Sequence, residues 1–151
     1  MTFPESRVSL SPADTEAFGE ELARLMINDC TLPRFVALYG DLGVGKTAFV
    51  RGFTRAVSPD ARVKSPTFAL VNEYRGKPCS VFHFDMYRIE SEDDLYSIGF
   101  YDYMDRNGIC LTEWSENIEY ALPDVYLRVE IIKDSPDNTE SRRINADIVR
   151  L

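Results

Sequence analysis

Residues 40–47 read Gly-Asp-Leu-Gly-Val-Gly-Lys-Thr and fill every fixed position of the pattern G-x-x-x-x-G-K-[ST]. The apolar run at 35–39 precedes this segment and indicates a buried strand. Residues 48–53 follow the segment and are predicted to open a helix. A strand, a glycine-rich turn and a helix in this order form a phosphate-binding P-loop. A plain glycine-rich surface turn would need all fixed positions to match by accident.

Each residue type in the loop has a chemical reason. Glycine lets successive backbone N–H groups turn inward around an anion. Lys46 places its charge on the terminal phosphates, and Thr47 offers a hydroxyl to Mg²⁺. The predicted cofactor-binding residues are Asp41, Leu42, Gly43, Val44, Gly45, Lys46, Thr47 and Ala48.

Composition narrows the class of protein. The 151 residues predict a single domain over 1–151. No apolar run approaches the roughly 20 residues of a membrane span, and the start of the chain does not resemble a signal peptide, so a cytoplasmic protein is expected. Three widely spaced cysteines, Cys30, Cys79 and Cys110, without a C-x-x-C pair indicate reduced core thiols, with neither disulfides nor a zinc site. The formal net charge of −8 disfavours direct binding to nucleic acid.

The apolar periodicity predicts β and α elements that alternate in the first half and mostly β structure in the second. We expect a strand near 7–10, a helix over 12–28, the P-loop strand and helix to about residue 57, and a hairpin of 69–74 with 79–85. A helix near 90–98, a strand at 108–113, a short irregular or helical piece, and a terminal hairpin around 134–138 follow. The predicted fold is α/β: a P-loop NTPase-like mixed sheet, parallel at its centre, with antiparallel strands at the margins and flanking helices.

Two carboxylates end predicted strands and are candidates to complete the site. Asp85 closes the strand at 81–85, and Glu113 closes the strand at 109–113. Since the carboxyl ends of parallel strands line the ligand crevice, either carboxylate can reach Mg²⁺ held by Thr47 and phosphates, and spacing leaves the choice open. His83, two residues before Asp85, fits either a supporting role or an ordinary place in the sheet. Thr67 fits either a switch threonine or a plain strand start.

Several segments together resemble the TsaE family. They are residues 40–47, Ser-Pro-Thr-Phe-Ala-Leu-Val at 65–71, His-Phe-Asp-Met-Tyr-Arg at 83–88, the acidic residues 92–94 with Leu95 followed by Gly99, and Leu-Thr-Glu-Trp at 111–114. They occur in family order and span nearly the whole chain. A P-loop alone is unspecific, whereas the His-Phe-Asp and Glu-Trp segments at these distances are specific.

The resemblance implies ATP and Mg²⁺ as cofactors. It implies a component that binds and hydrolyses ATP for the bacterial machinery that attaches a threonylcarbamoyl group to the adenosine beside the anticodon of certain tRNAs. The TsaD and TsaB proteins would be its partners, and tRNA would be met only through them. By the same resemblance Thr47 and Glu113 hold Mg²⁺, Lys46 holds the phosphates, and Asp85 with Thr67 orients the attacking water.

Three alternatives compete with this interpretation. A small-molecule kinase also uses a P-loop, but it needs an acceptor site and usually an arginine-bearing lid, where this chain has mainly a β-hairpin after Glu113. A GTPase is disfavoured because the sequence has no Asn-Lys-x-Asp motif. A binding module in which nucleotide only sets a conformation would show no steady phosphate release.

Overall fold

One mixed β-sheet runs through the computed structural model, which describes residues 1–41, 43–66 and 70–151. In this part of the chain the strands are β1 (Glu5–Ser9), β2 (Phe35–Tyr39), β3 (Val71–Tyr74), β4 (Ser80–Asp85), β5 (Gly108–Glu113), β6 (Val125–Ser135) and β7 (Asn138–Arg150). The helices are α1 (Pro12–Asn28), α2 (Lys46–Val57), α3 (Glu92–Ser97) and α4 (Phe100–Met104), with a 3-10 segment at Ser115–Ala121.

The strand order in the sheet is β1-β7-β6-β2-β5-β4-β3. Strands β6, β2, β5 and β4 run parallel, while β1 and β7 on one side and β3 on the other are antiparallel to their neighbours. This arrangement confirms the predicted fold. The central strand β2 is buried along Phe35, Val36, Ala37 and Leu38, as expected for a parallel strand covered on both faces.

Alternation along β4 and β5 sends neighbouring side chains to opposite faces of the sheet. Val81, Ile109 and Leu111 join the core formed with α1 and α2. Phe82 and Cys110 join a second core on the side of α3 and α4. Burial in that second core raises the pKa of the Cys110 thiol to about 12. By the same alternation, the odd-numbered residues that end both strands face the P-loop helix.

Helices α1 and α2 pack with their backbones close together because each helix places a glycine, Gly19 in α1 and Gly52 in α2, against the backbone of the other. A Cβ atom on Gly52 would overlap the carbonyl oxygen of Glu16, and one on Gly19 would overlap that of Phe49. Only glycine permits this approach. The start of α2, and with it the loop before it, is thereby fixed against the N-terminal helix.

Several element bounds differ from the sequence prediction. The helix expected near 90–98 is followed by a second one, α4, because Gly99 adopts a left-handed conformation with φ of 72° and turns the chain. The terminal strands are longer than expected and reach 135 and 138, since a β-bulge between Lys133 and Ser135 lets pairing continue to the turn. The third strand begins at Val71, after Leu70 at a φ of 68°.

The three cysteines lie in the described ranges and are free thiols. Cys79 and Cys110 are buried as predicted, whereas the prediction of a core position is wrong for Cys30, which is exposed because it lies after the end of α1. Among the described helices, none is both long enough and apolar enough to cross a membrane.

Candidate nucleotide-binding site

The glycine-rich loop joins the end of β2 to the start of α2. Its glycines have φ angles of 145° at Gly40, 77° at Gly43 and 115° at Gly45, all of which L side chains avoid. Gly45 is the N-cap of α2 and has no side chain that could cap this end. The first N–H groups of α2 are therefore available to an anion, as the sequence pattern predicted.

Lys46 is the first residue of α2 and is only 7% exposed. Its Nζ donates to the carbonyl oxygen of Gly40 at 2.7 Å and lies 5.2 Å from the centroid of the Trp114 ring. The side chain thus curls back over the loop, where the phosphates of a nucleotide would lie. Burial strengthens the attraction between this ammonium group and an anion.

A cleft of about 350 Å³ opens beside Lys46 at the carboxyl ends of β4 and β5, and we call it the strand-end cleft. In the sheet register Asp85 is paired with Glu113, so the two carboxylates are neighbours. The described residues lining the cleft are Gly43, Gly45, Lys46, Thr47, Ser65, Asp85, Glu113 and Trp114. The predicted lysine, threonine and both carboxylates are therefore brought to one place.

The two carboxylates are held in different ways. Asp85 is 8% exposed, and its Oδ1 accepts a hydrogen bond from the backbone N–H of Tyr87 at 2.9 Å. Glu113 has a side chain 13% exposed, and its Oε2 lies 2.6 Å from Nε2 of the buried His83. Among the described residues, these hydrogen bonds occupy one oxygen of each carboxylate, and the second oxygen can meet a metal ion or water.

The donor set fits Mg²⁺. The Thr47 hydroxyl and the Asp85 and Glu113 carboxylates are hard oxygen donors in one cleft. Mg²⁺ prefers oxygen ligands and is commonly bound through one or two carboxylates together with substrate phosphates. Thr47 and Glu113 are the residues predicted to hold it. Two other predicted residues, Leu42 and Thr67, lie outside the described residues.

A second cleft, of about 280 Å³, shares Gly43 and Gly45 of the loop and is bordered by the start of β7; we call it the hairpin cleft. It is lined by Ser11, Pro12, Thr15, Gly43, Val44, Gly45, Ala48, Thr139, Glu140 and Arg142. Val44 and Ala48, predicted as cofactor-binding, lie here. Ser11, Thr139 and Arg142 were not among the predicted cofactor-binding residues, because no local motif marks them.

Arg142 links the terminal hairpin to the loop. Its Nε donates to the carbonyl oxygen of Val44 at 2.8 Å, and its Nη1 donates to the carbonyl oxygens of Thr139 and Ser141 at 2.6 and 3.0 Å. Val44 and Arg142 are 98 residues apart in sequence. Only the pairing of β7 with β6, and of β6 with β2, brings them together.

A third cleft, of about 590 Å³, begins at Gly40 and Asp41 and extends along β6, and we call it the acidic cleft. Its carboxylates are Asp41, Glu116, Glu119 and Glu130. Burial, followed by the neighbouring Tyr126 and Glu119, raises the pKa of Tyr39 in this cleft to about 12. Asp41, predicted as cofactor-binding, therefore lies beside an acidic surface.

The fold and this site define a class: mixed α/β proteins with a glycine-rich loop between the central parallel strand and the helix that follows it. The family model described as "Threonylcarbamoyl adenosine biosynthesis protein TsaE" matches residues 9–144. The chain belongs to the TsaE family, whose members are tRNA threonylcarbamoyladenosine biosynthesis proteins.

Similar proteins support this assignment over most of the chain. The tRNA threonylcarbamoyladenosine biosynthesis protein TsaE of Haemophilus influenzae is 38% identical over 115 residues, covering 76% of this chain and 73% of that protein. The protein of the same name from Bacillus subtilis is 33% identical over 132 residues, covering 87% and 80%. The crystal structure of Bacillus subtilis YdiB superimposes with a TM-score of 0.72 at 25% identity, covering 100% of this chain and 88% of that one.

Proposed function

We propose that this protein binds and hydrolyses ATP as a component of the tRNA threonylcarbamoyladenosine machinery, acting through the TsaD and TsaB proteins. The observation that carries the proposal is the strand-end cleft, which unites the P-loop lysine and threonine with two carboxylates at the ends of adjacent strands. Family membership places the chain in tRNA threonylcarbamoyladenosine biosynthesis. ATP hydrolysis and the two partners are what we propose in addition.

In this proposal Lys46 binds the terminal phosphates and exchanges its hydrogen bond with the Gly40 carbonyl for one with phosphate. Thr47 and Glu113 hold Mg²⁺, which would neutralise charge on the phosphates. Asp85 orients the attacking water and accepts its proton at the carboxylate oxygen that Tyr87 does not occupy. Thr67, by its family resemblance, assists Asp85.

The hairpin cleft is the place we assign to the nucleoside. The terminal phosphate must lie at Lys46 and the carboxylates, so the base and ribose leave the loop on another side. Of the other two clefts described above, the acidic cleft carries four carboxylates against two cations, Arg128 and Lys133, so its net charge is unfavourable for the phosphates attached to the nucleoside. The hairpin cleft instead borders the start of α2 at Ala48 and contains Arg142 and the Ser11 and Thr139 hydroxyls.

Fast phosphoryl transfer usually requires a cation that neutralises charge on the terminal phosphate in the transition state. Two arginines near the loop, Arg51 in sequence and Arg142 in space, have other partners. Arg51 pairs with Glu16 at 2.6 Å, and Arg142 is bound to backbone carbonyls. We therefore assign the missing cation to a partner protein, which can raise the rate by about 10³ to 10⁵.

The test is phosphate release from ATP by the protein alone, with tRNA, and with TsaD and TsaB at two salt concentrations. We expect slow phosphate release by the protein alone, no stimulation by tRNA alone, and a marked rise with the partner pair. The stimulation should weaken as salt rises, because salt screens the attraction between this acidic protein and a basic patch on a partner. Equal rates in all cases would contradict the proposal. Transfer of phosphate to a small molecule would favour a kinase.

A further inference from the structure

We propose that His83 is a positioning residue that holds the Glu113 carboxylate in the orientation needed to bind Mg²⁺. The inference rests on the proposed function, because it assumes that Glu113 is a metal ligand. It adds a residue that does not itself touch metal or nucleotide.

The sheet brings the two side chains together. β4 and β5 are parallel neighbours in which His83 is paired with Leu111 and Asp85 with Glu113. Odd-numbered residues of both strands face α2, so His83 lies on the same face as Glu113 and one pair deeper in the sheet. His83 is 1% exposed, and its Nε2 lies 2.6 Å from Oε2 of Glu113.

The hydrogen bond identifies the tautomer of the ring. Nδ1 of His83 is buried and, within the part of the chain that the structure describes, has no hydrogen-bond partner. A proton on Nδ1 would be a buried donor without an acceptor, which costs more than a bare nitrogen facing apolar surroundings. The ring proton is therefore placed on Nε2, which donates to Glu113 and leaves Oε1 for the metal.

This contact removes freedom that Glu113 would otherwise have. A glutamate side chain has several rotatable bonds, and an unrestrained one loses entropy when it binds a metal. Partners that orient a metal-binding carboxylate typically contribute about 10- to 100-fold in metal affinity. Asp85 differs, because the hydrogen bond that its carboxylate accepts from a described residue comes from a backbone N–H, that of Tyr87.

The test compares His83→Gln with His83→Asn. The glutamine amide reaches about as far as Nε2 and keeps a donor for Glu113, whereas the asparagine amide ends near the position of Nδ1 and cannot reach. For each variant, calorimetry measures the affinity for ADP in EDTA and then at rising free Mg²⁺. The Mg²⁺ concentration that gives half of the gain in ADP affinity is the readout.

We expect His83→Asn to raise that Mg²⁺ concentration by about 10- to 100-fold and His83→Gln to stay close to the unaltered protein. Both variants should bind ADP normally in EDTA, because the loop and Lys46 are unchanged. Val81→Ala, on the same strand and face, is the control: it should lower the unfolding temperature without changing the Mg²⁺ concentration.

A folded His83→Asn protein with the unaltered Mg²⁺ dependence would overturn the positioning role, as would equal losses in Asn and Gln variants. Glu113→Ala separates this failure from that of the proposed function. If Glu113→Ala weakens the Mg²⁺ dependence while His83→Asn does not, only the inference about His83 fails. If neither Glu113→Ala nor His83→Asn changes it, the metal site itself is wrongly assigned.

Discussion

The strand-end cleft and the hairpin cleft share the same loop but are built by different parts of the sheet. The strand-end cleft lies where the parallel strands β4 and β5 end in Asp85 and Glu113. The hairpin cleft lies against the start of the antiparallel strand β7 and presents Arg142, hydroxyl groups and one carboxylate, Glu140. The difference indicates a division of labour, in which carboxylates at one side handle metal and water and the hairpin at the other side holds the rest of the nucleotide.

The strongest way to break this division is Asp85→Asn. The change removes a proton acceptor but keeps the shape and the acceptor oxygen that binds the Tyr87 N–H. We expect partner-stimulated phosphate release to fall by about 10²- to 10⁴-fold, with ADP affinity largely intact. Asp105→Asn, at an exposed position after α4, is the control and should match the unaltered protein. Loss of nucleotide affinity in Asp85→Asn would place Asp85 in the binding function.

Lys46→Ala should affect nucleotide binding as a whole, because the lysine lies at the loop that both clefts share. Losing a charge-assisted contact to phosphate costs about 1.5 to 3 kcal/mol or more, and phosphate release should be abolished. Calorimetry with ATP and ADP measures the loss, and the exposed Lys77→Ala is the matched control. Unchanged nucleotide affinity and turnover in Lys46→Ala would show that the loop at 40–47 does not bind the nucleotide.

Glu113→Ala and Arg142→Ala should separate the two clefts by their response to Mg²⁺. Glu113→Ala should weaken ADP binding only when Mg²⁺ is present. Arg142→Ala removes the hydrogen bond from its guanidinium group to the Val44 carbonyl. A hydrogen bond of this kind stabilises the folded loop by about 1 to 3 kcal/mol. The variant should therefore bind ADP more weakly, and equally so with and without Mg²⁺. Arg143→Ala, which loses an ion pair with Asp134 outside both clefts, is the control for the hairpin. The reverse pattern would exchange the roles of the two clefts.

The smallest effect is expected in the fluorescence of Trp114, the single tryptophan of the chain. Its ring lines the strand-end cleft, 5.2 Å from Nζ of Lys46. Because phosphate binding draws Lys46 away from the Gly40 carbonyl, the surroundings of the ring should change when Mg²⁺ and nucleotide bind. A titration of emission against ADP measures this. Emission that responds to nucleotide in Lys46→Ala as in the unaltered protein would show that the signal has another source.

The sequence predicted those features whose information is local. The loop carries its own motif, and Asp85 and Glu113 follow from the rule that parallel strands bring their carboxyl ends to one edge. Arg142 could not be found this way, since its contact with Val44 depends on the pairing of strands far apart in sequence. The hydrogen bond between His83 and Glu113 could not be predicted either. The alternation of side chains along β4 predicts which face of the sheet His83 lies on, but only the strand order shows that β5 is the neighbouring strand.

The most direct test of the divided site is a crystal structure of the protein with a non-hydrolysable ATP analogue and Mg²⁺. We predict that the terminal phosphate lies at Lys46, the metal between Thr47 and Glu113, and the base in the hairpin cleft beside Ser11 and Arg142. A base bound in the acidic cleft, or a metal far from Glu113, would contradict it.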